Sequence, residues 1–139
     1  MKMLLAVDGS DGARLAVEFV ANAAWLHAGS EVTVFTAIPP PDGEARRWDD
    51  PDLVRADERI DAQAILEPVR RRLASTGMRV HCDWAEGVAP DAIVRMATQG
   101  CFDLVVMGCR GRGALASLVL GSSTSGVLAG CRLPLLVIR

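Results

Sequence analysis

The feature that most limits the possible folds of this chain is a regular alternation of short apolar runs with segments of helical periodicity. The apolar runs predict strands at residues 2–7, 31–38, 78–85, 102–108 and 133–139. The periodic segments predict helices from Ser10 or Asp11 through residue 28, and over 53–75, 87–100 and 122–130. Strands that alternate with helices form a parallel sheet with right-handed crossovers, so we expect an α/β fold with helices on both faces.

The length of the chain indicates one domain, residues 1–139, and its charge indicates no strong electrostatic attraction for a charged partner. The formal net charge is −2, which does not favour nucleic acid or a membrane surface. No apolar run is long enough to span a bilayer, and acidic residues follow the first apolar run too soon for a signal peptide. We therefore expect a cytoplasmic protein without nucleic-acid or membrane partners.

The cysteines and most of the aromatic residues carry no recognisable chemistry. Cys82, Cys101, Cys109 and Cys131 show no C-x-x-C spacing and no partner histidines, so we expect reduced and mostly buried thiols. Trp25 and Trp84 are expected to be packing residues. No catalytic triad, paired acid–base set or metal cluster is recognisable.

A glycine-rich segment after the fourth predicted strand is the strongest functional signal. A residue without a Cβ lets backbone N–H groups approach an anion, and several such groups in a row form an anion-binding concavity. Hydroxyl residues then begin the last helix, whose free N–H groups also favour negative charge. The predicted phosphate cradle consists of Gly108, Gly111, Gly113, Gly121, Ser122, Ser123 and Thr124, with Arg110 and Arg112 able to donate charge-assisted bonds.

Two other phosphate motifs fit this segment only in part. Gly108 and Gly113 have the spacing of a Walker A loop, but Ala114 and Leu115 occupy the Lys and Ser/Thr positions. Residues 111–116 match the G-x-G-x-x-A dinucleotide fingerprint, which needs further strands and a later acidic residue. Only one strand follows here, and no acid follows Asp103, so we reject both motifs.

Asp8 stands at the carboxyl end of the first strand. If strands one and four are neighbours in the sheet, the loop of Asp8 and the glycine-rich segment face a common crevice. A carboxylate near phosphates is repulsive unless a cation lies between them, so Asp8 favours a nucleotide with Mg²⁺. The alternative is that Asp8 only orders the "DGSDG" turn or caps the first helix.

The segment Gly108-x2-Gly111-x9-Gly121-Ser122 resembles the G-2X-G-9X-G-[S/T] signature of the ATP-binding branch of the universal stress protein family. The likeness extends over the whole chain, from "AVDGSDGARLAVEFVANAA" to "RLPLLVIR". It implies an open five-stranded parallel sheet of order 3-2-1-4-5. It also implies ATP bound with a divalent cation, without a well-defined catalytic turnover.

The resemblance also implies how this sequence would hold the nucleotide. Asp8 would lie near the ribose and the metal, and the backbone around Ala37 and Ile38 would meet the adenine edge. The ribose and phosphates would be lined by Gly108, Arg110, Gly111 and Gly113, and the phosphate tail would be held by Gly121, Ser122, Ser123 and Thr124. Cys109 and Ser123 depart from the family's usual serine and valine without removing a backbone donor.

The resulting hypothesis is an ATP-binding stress-response protein with a regulatory role, at most a weak ATPase or an autophosphorylating protein at Ser122, Ser123 or Thr124. The alternatives are a dimeric scaffold of the same fold that carries no nucleotide, and a binder of AMP or cyclic AMP. An enzyme of the wider nucleotide-binding superfamily is disfavoured because "VDGSDG" stands where such enzymes have "SGG-x-DS" or a "HIGH"-like stretch. An apolar edge at the last strand, from Leu133 to Arg139, predicts a homodimer.

Overall fold

The computed structural model describes residues 1–40, 50–109 and 120–139. Five strands and four α-helices follow one another in the predicted order. The strands are β1 (Lys2–Ala6), β2 (Glu31–Ile38), β3 (Arg79–Glu86), β4 (Leu104–Gly108) and β5 (Leu135–Ile138). The α-helices are α1 (Asp11–Asn22), α2 (Pro51–Leu73), α3 (Ala89–Gln99) and α4 (Ser122–Gly130), and short 3-10 turns follow α1 and α2.

The strands form one sheet of order β3-β2-β1-β4-β5, and every neighbouring pair is parallel. This confirms the predicted open five-stranded α/β fold. β1 lies in the middle because its residues are apolar on both faces: Met3, Leu4 and Leu5 are all fully buried. β3 and β5 are the two edges of the sheet.

Helices cover both faces of the sheet, and alternate strand residues supply the two cores. On one face, α1 and α2 pack on side chains that include Leu5 and Val34. On the other face, α3 and α4 pack on side chains that include Leu4 and Phe35. Each large apolar side chain buried in this way contributes on the order of 2 kcal/mol.

The first helix is shorter than its periodicity predicts. It ends at Asn22 rather than residue 28, because the backbone leaves helical geometry at Ala23 and continues as a 3-10 turn over Ala24–Leu26. This turn inserts Leu26 into the core, where it is fully buried, and leaves Trp25 73% exposed. The expectation that Trp25 is a packing residue is therefore wrong.

The thiols also differ from expectation. Cys82 and Cys101 are exposed, while Cys109 and Cys131 are half-buried, and all four are free. The prediction that the thiols are mostly buried is therefore wrong. Cys82 is exposed because it lies on β3, an edge strand of the sheet on which several residues are exposed.

No helix among the described residues is both long and apolar enough to cross a membrane.

Candidate functional site

The strand order reverses between β1 and β4, and a pocket lies there at the carboxyl edge of the sheet. It encloses about 450 Å³, including its open mouth. Phe35 and Met107 form an apolar floor, and Ala89 and Ile93 at the start of α3 form one wall. In open parallel sheets, ligands bind where the strand order reverses, outside the carboxyl ends of the strands.

Asp8 lies at the rim of this pocket, in a loop with a defined geometry. Its Oδ1 accepts a hydrogen bond from the Ser10 N–H at 3.0 Å, and the Ser10 hydroxyl oxygen accepts one from the Ala13 N–H at 3.2 Å. Gly9 has φ of +77°, which a residue with a Cβ rarely adopts. Asp8 therefore orders the turn and also faces the pocket. Among the described lining residues, it is the one with a charged side chain.

Gly108 ends β4 in direct contact with the start of α1. A Cβ built on Gly108 would lie 2.3 Å from the carbonyl carbon and oxygen of Gly12, and 2.9 Å from the Ala13 nitrogen. All three are backbone atoms, which cannot rotate away. The absence of a side chain at Gly108 thus brings β4 and α1 together below the pocket.

The N-terminus of α4 closes the pocket from the β4 side. Gly121 is its N-cap residue, with φ of −59° and ψ of 156°, and the Gly121 N–H donates to the Cys109 carbonyl at 2.8 Å. The first helical bond runs from the Ser125 N–H to the Gly121 carbonyl. The N–H groups of the first turn have no intrahelical acceptors, as in any α-helix, and no described side chain caps them.

The three hydroxyl residues that begin α4 differ in their surroundings. Thr124 is 1% exposed, and its hydroxyl donates to the Gly108 carbonyl at 3.0 Å. Ser123 lines the pocket and is half-buried, while Ser122 is exposed. Ser123 and Ser122 thus have the accessible hydroxyls, and the Thr124 proton is used within the fold.

The structure brings part of the predicted site together. The predicted residues that line the pocket are Asp8, Ala37, Gly108, Ser123 and Thr124. Ile38 is buried in the core on the opposite face of the sheet, where α1 and α2 pack, and its carbonyl accepts from the Gly87 N–H at 2.9 Å. The predicted residues Arg110, Gly111, Arg112 and Gly113 lie outside the described residues.

Sequence reasoning missed the apolar part of the pocket. Phe35, Met107 and Ile93 are ordinary core residues in pattern, and only their position at the carboxyl edge makes them pocket residues. The described residues contain no cluster of three or more His, Cys, Asp or Glu side chains able to hold a metal ion.

The fold and this pocket define the class: a Rossmann-like, doubly wound α/β protein with a cleft at the point of strand reversal. The sequence model of the universal stress protein family matches residues 1–139. The chain therefore belongs to the universal stress protein family.

Individual relatives agree with this assignment. The chain is 35% identical to a universal stress protein of Thermus aquaticus encoded in the QAH/OAS sulfhydrylase 3' region, over 99% of this chain and 97% of that protein. The solved structure of protein MJ0577 of Methanocaldococcus jannaschii superposes with a TM-score of 0.86 at 25% identity, covering 99% of this chain and 94% of that one.

Two further structures have the same fold and were solved with nucleotides. An Archaeoglobus fulgidus universal stress protein in complex with dAMP has a TM-score of 0.68 at 23% identity, covering 100% of this chain and 98% of that one. A universal stress protein in complex with cAMP has a TM-score of 0.67 at 21% identity, covering 100% and 96%.

Proposed function

We propose that this chain binds an adenine nucleotide, ATP with Mg²⁺, in the pocket between β1, β4 and α4, and acts as a nucleotide-dependent stress-response regulator without strong turnover. The observation that carries the proposal is the N-terminus of α4, which has no described side-chain cap and lies beside Gly108 and the pocket. Such a helix end supplies N–H donors and a positive partial charge to phosphate oxygens.

The apolar floor suits the base of a nucleotide. Phe35, Ala37 and Met107 offer an apolar surface for an adenine ring next to the polar rim of Asp8 and Ser123. The dAMP and cAMP complexes of proteins with this fold support the adenine class. AMP and cyclic AMP would use the same floor, and they remain the alternatives that the experiment must separate from ATP.

Mg²⁺ fits the proposal through Asp8 and the phosphates together. The described residues contain no metal-binding cluster, so an ion here would take Asp8 as its protein ligand and the remaining oxygens from phosphate and water. When bound, the ion would screen the repulsion between the Asp8 carboxylate and the phosphate chain. We propose Arg110, Gly111, Arg112, Gly113 and Gly121 as the further phosphate contacts.

The hydroxyls of α4 have separate roles in this proposal. The Thr124 hydroxyl donates to Gly108 and fixes the helix start against β4. Ser122 and Ser123 hold the phosphate tail, and they would be the acceptors in any slow autophosphorylation. Thr124 would be the poorest phosphoryl acceptor of the three, because its hydroxyl is buried and already donates a hydrogen bond.

Gly121→Val tests the proposal at a position where a side chain does not strain the backbone. Gly121 has φ of −59° and ψ of 156°, which any residue adopts, so the added side chain crowds the helix end rather than straining the backbone. Ala129→Val is the matched control, because it adds bulk to the exposed far end of the same helix. Calorimetric titration with ATP, AMP and cyclic AMP, each with and without Mg²⁺, gives the readout.

We expect saturable ATP binding that Mg²⁺ strengthens, lost in Gly121→Val and kept in Ala129→Val. Equal affinity of Gly121→Val and the unaltered chain would refute the site. Saturable binding of AMP or cyclic AMP in preference to ATP would overturn the choice of ATP. If none of the three nucleotides binds, nucleotide binding is refuted and the alternative of a dimeric scaffold without nucleotide is favoured.

We further propose a homodimer through the last strand, between Leu133 and Arg139. β5 is an edge of the sheet, and its residues Leu135–Ile138 are all half-buried rather than covered. A second copy pairing along this edge would cover them around a two-fold axis. Light scattering at micromolar concentration should give the mass of a dimer for the unaltered chain and the mass of a monomer for Val137→Lys. A monomer for the unaltered chain would refute this proposal.

A further inference from the structure

A second cleft lies at the carboxyl edge of the sheet, on the opposite face from the nucleotide pocket. It runs between the N-terminal half of α2 and the end of β3. Trp84 on β3 packs with the core on the α1 and α2 face, whereas the floor of the nucleotide pocket belongs to the α3 and α4 face. The two depressions are therefore separated by the strand ends.

Glu58 is the unusual residue of this cleft. It is 7% exposed, the one buried residue with a charged side chain among the described parts of the chain, and it lines the cleft. Its Oε1 is buried and has no hydrogen-bond partner there. Leaving a carboxylate oxygen buried and unpaired is costly, so the arrangement calls for a donor that the described part of the chain does not provide.

A second unpaired acceptor lies on the same side of the sheet. The hydroxyl of Thr36 is buried without a hydrogen-bond partner in the described structure. Thr36 pairs in register with Trp84, and Trp84 lines the cleft. Thr36 itself does not line the cleft, so the ligand group must suit Glu58: an ammonium has several N–H donors and no acceptor.

The other walls favour an organic cation over a metal ion. Asp52 and Glu86 also line the cleft, yet no three metal-ligating side chains converge within the described part of the chain. Apolar groups also line the cleft, among them Ala56 and the ring of Trp84. Methylene groups pack on such surfaces, and an aromatic face attracts a cation.

We propose that this cleft binds a linear aliphatic diamine or polyamine. One ammonium group pairs with Glu58, the methylene chain lies along the ring of Trp84, and a second ammonium pairs with Asp52 or Glu86. Two arginines, Arg55 and Arg59, line the same cleft and lie on α2 together with Asp52 and Glu58. They direct the cationic ends towards the acidic positions, and they also make inorganic phosphate the competing ligand that the test must include.

The test is a calorimetric titration of the full chain with 1,4-diaminobutane, with n-butylamine and inorganic phosphate as comparison probes. Glu58→Gln keeps the shape of the side chain and removes its charge. Asp61→Asn removes one charge from the exposed surface of the same helix, outside the cleft, and is the matched control. Binding is followed in parallel by the indole N–H resonance of Trp84, assigned with Trp84→Phe.

We expect saturable one-to-one binding of the diamine, weaker binding of n-butylamine, and a shift of the Trp84 resonance. Affinity should fall about tenfold or more in Glu58→Gln, since a charge-assisted hydrogen bond is lost, and should not change in Asp61→Asn. Prior addition of ATP should not compete with the diamine.

Equal weakening in Glu58→Gln and Asp61→Asn would overturn the proposal, because it would mean general charge attraction. No saturable binding of the diamine, or binding of phosphate in its place, would overturn it too. If Glu58→Gln does not fold, the double variant Asp52→Asn/Glu86→Gln replaces it, because it removes both partners offered to the second ammonium. Unchanged affinity of the double variant for the diamine would then overturn the proposal.

Discussion

Gly108→Ala tests whether the first glycine of the signature is required by the fold itself. The added methyl would lie 2.3 Å from both the carbonyl carbon and the carbonyl oxygen of Gly12, and 2.9 Å from the Ala13 nitrogen. Real Cβ contacts essentially never fall below 3.0 Å. Because these atoms belong to the first turn of α1, relief requires α1 or the end of β4 to move.

Gly108→Ala should cost as much stability as the more damaging overpacking substitutions in protein cores. Extra methyl groups in a packed core cost roughly 1–3 kcal/mol, and rigid backbone neighbours leave the least room for adjustment. α1 also buries Ala16 and Val17 against the sheet, so shifting it loosens further contacts. We expect Gly108→Ala to lower the unfolding free energy by about 3 kcal/mol, and Tm by roughly 10 °C for a chain of this size.

Urea unfolding and calorimetry of a matched glycine series measure this effect. In Gly126→Ala the methyl would lie 2.6 Å from the Pro90 Cβ, which is a longer contact than at Gly108, and alanine is preferred to glycine inside α4, so we expect a smaller loss. In Gly130→Ala it would lie 3.2 Å from a methyl of Val94, which can rotate, and the helix preference for alanine of about 0.5–1 kcal/mol offsets the contact. Gly108→Ala as stable as the unaltered chain, or less damaging than Gly130→Ala, would refute the reasoning.

Two further outcomes follow from hydrogen bonds and charge. Thr124→Val should cost about 1–3 kcal/mol in urea unfolding, because the buried Gly108 carbonyl loses its donor, whereas Thr124→Ser should recover most of that loss; equal stability of the two variants would contradict the role. The Arg72 guanidinium, which donates to both oxygens of Glu18, holds the pKa of that carboxyl below its usual range. This pair therefore adds stability above the ordinary pKa of glutamate and loses it as pH falls through the lowered value. Glu18→Gln should reduce the acid dependence of the urea midpoint, and an unchanged dependence would contradict the assignment.

The alternation of strands and helices and the parallel sheet were accessible from the sequence because they follow from local pattern and handedness. Buried strands such as β1 and β4 are continuous apolar runs, and each is followed by a helix, which leaves few topologies. The family resemblance then implied the order of the sheet, which the structure confirms. The end of α1 was not accessible, because tertiary packing of Leu26, rather than periodicity, decides where the helix stops.

The site was predictable only at its rim. Asp8, Gly108 and the hydroxyls of α4 stand out because they follow apolar strands at the carboxyl edge of a parallel sheet, where ligands bind, and several of them do line one pocket. The floor was not predictable, since Phe35 and Met107 look like core in the sequence. Glu58 was hidden as well, because one glutamate in a charged helix carries no signal until its burial is known.

The residues of the glycine signature therefore divide by physical role, and binding experiments have to respect the division. Gly108 is needed to pack β4 on α1, and Thr124 donates to the Gly108 carbonyl. Loss of nucleotide binding after changing either one would report a disturbed fold as readily as a lost contact. Gly121 has an unstrained backbone at the start of α4, and Ser123 lines the pocket and is half-buried. Substitutions at Gly121 and Ser123 consequently isolate the contribution of the phosphate cradle.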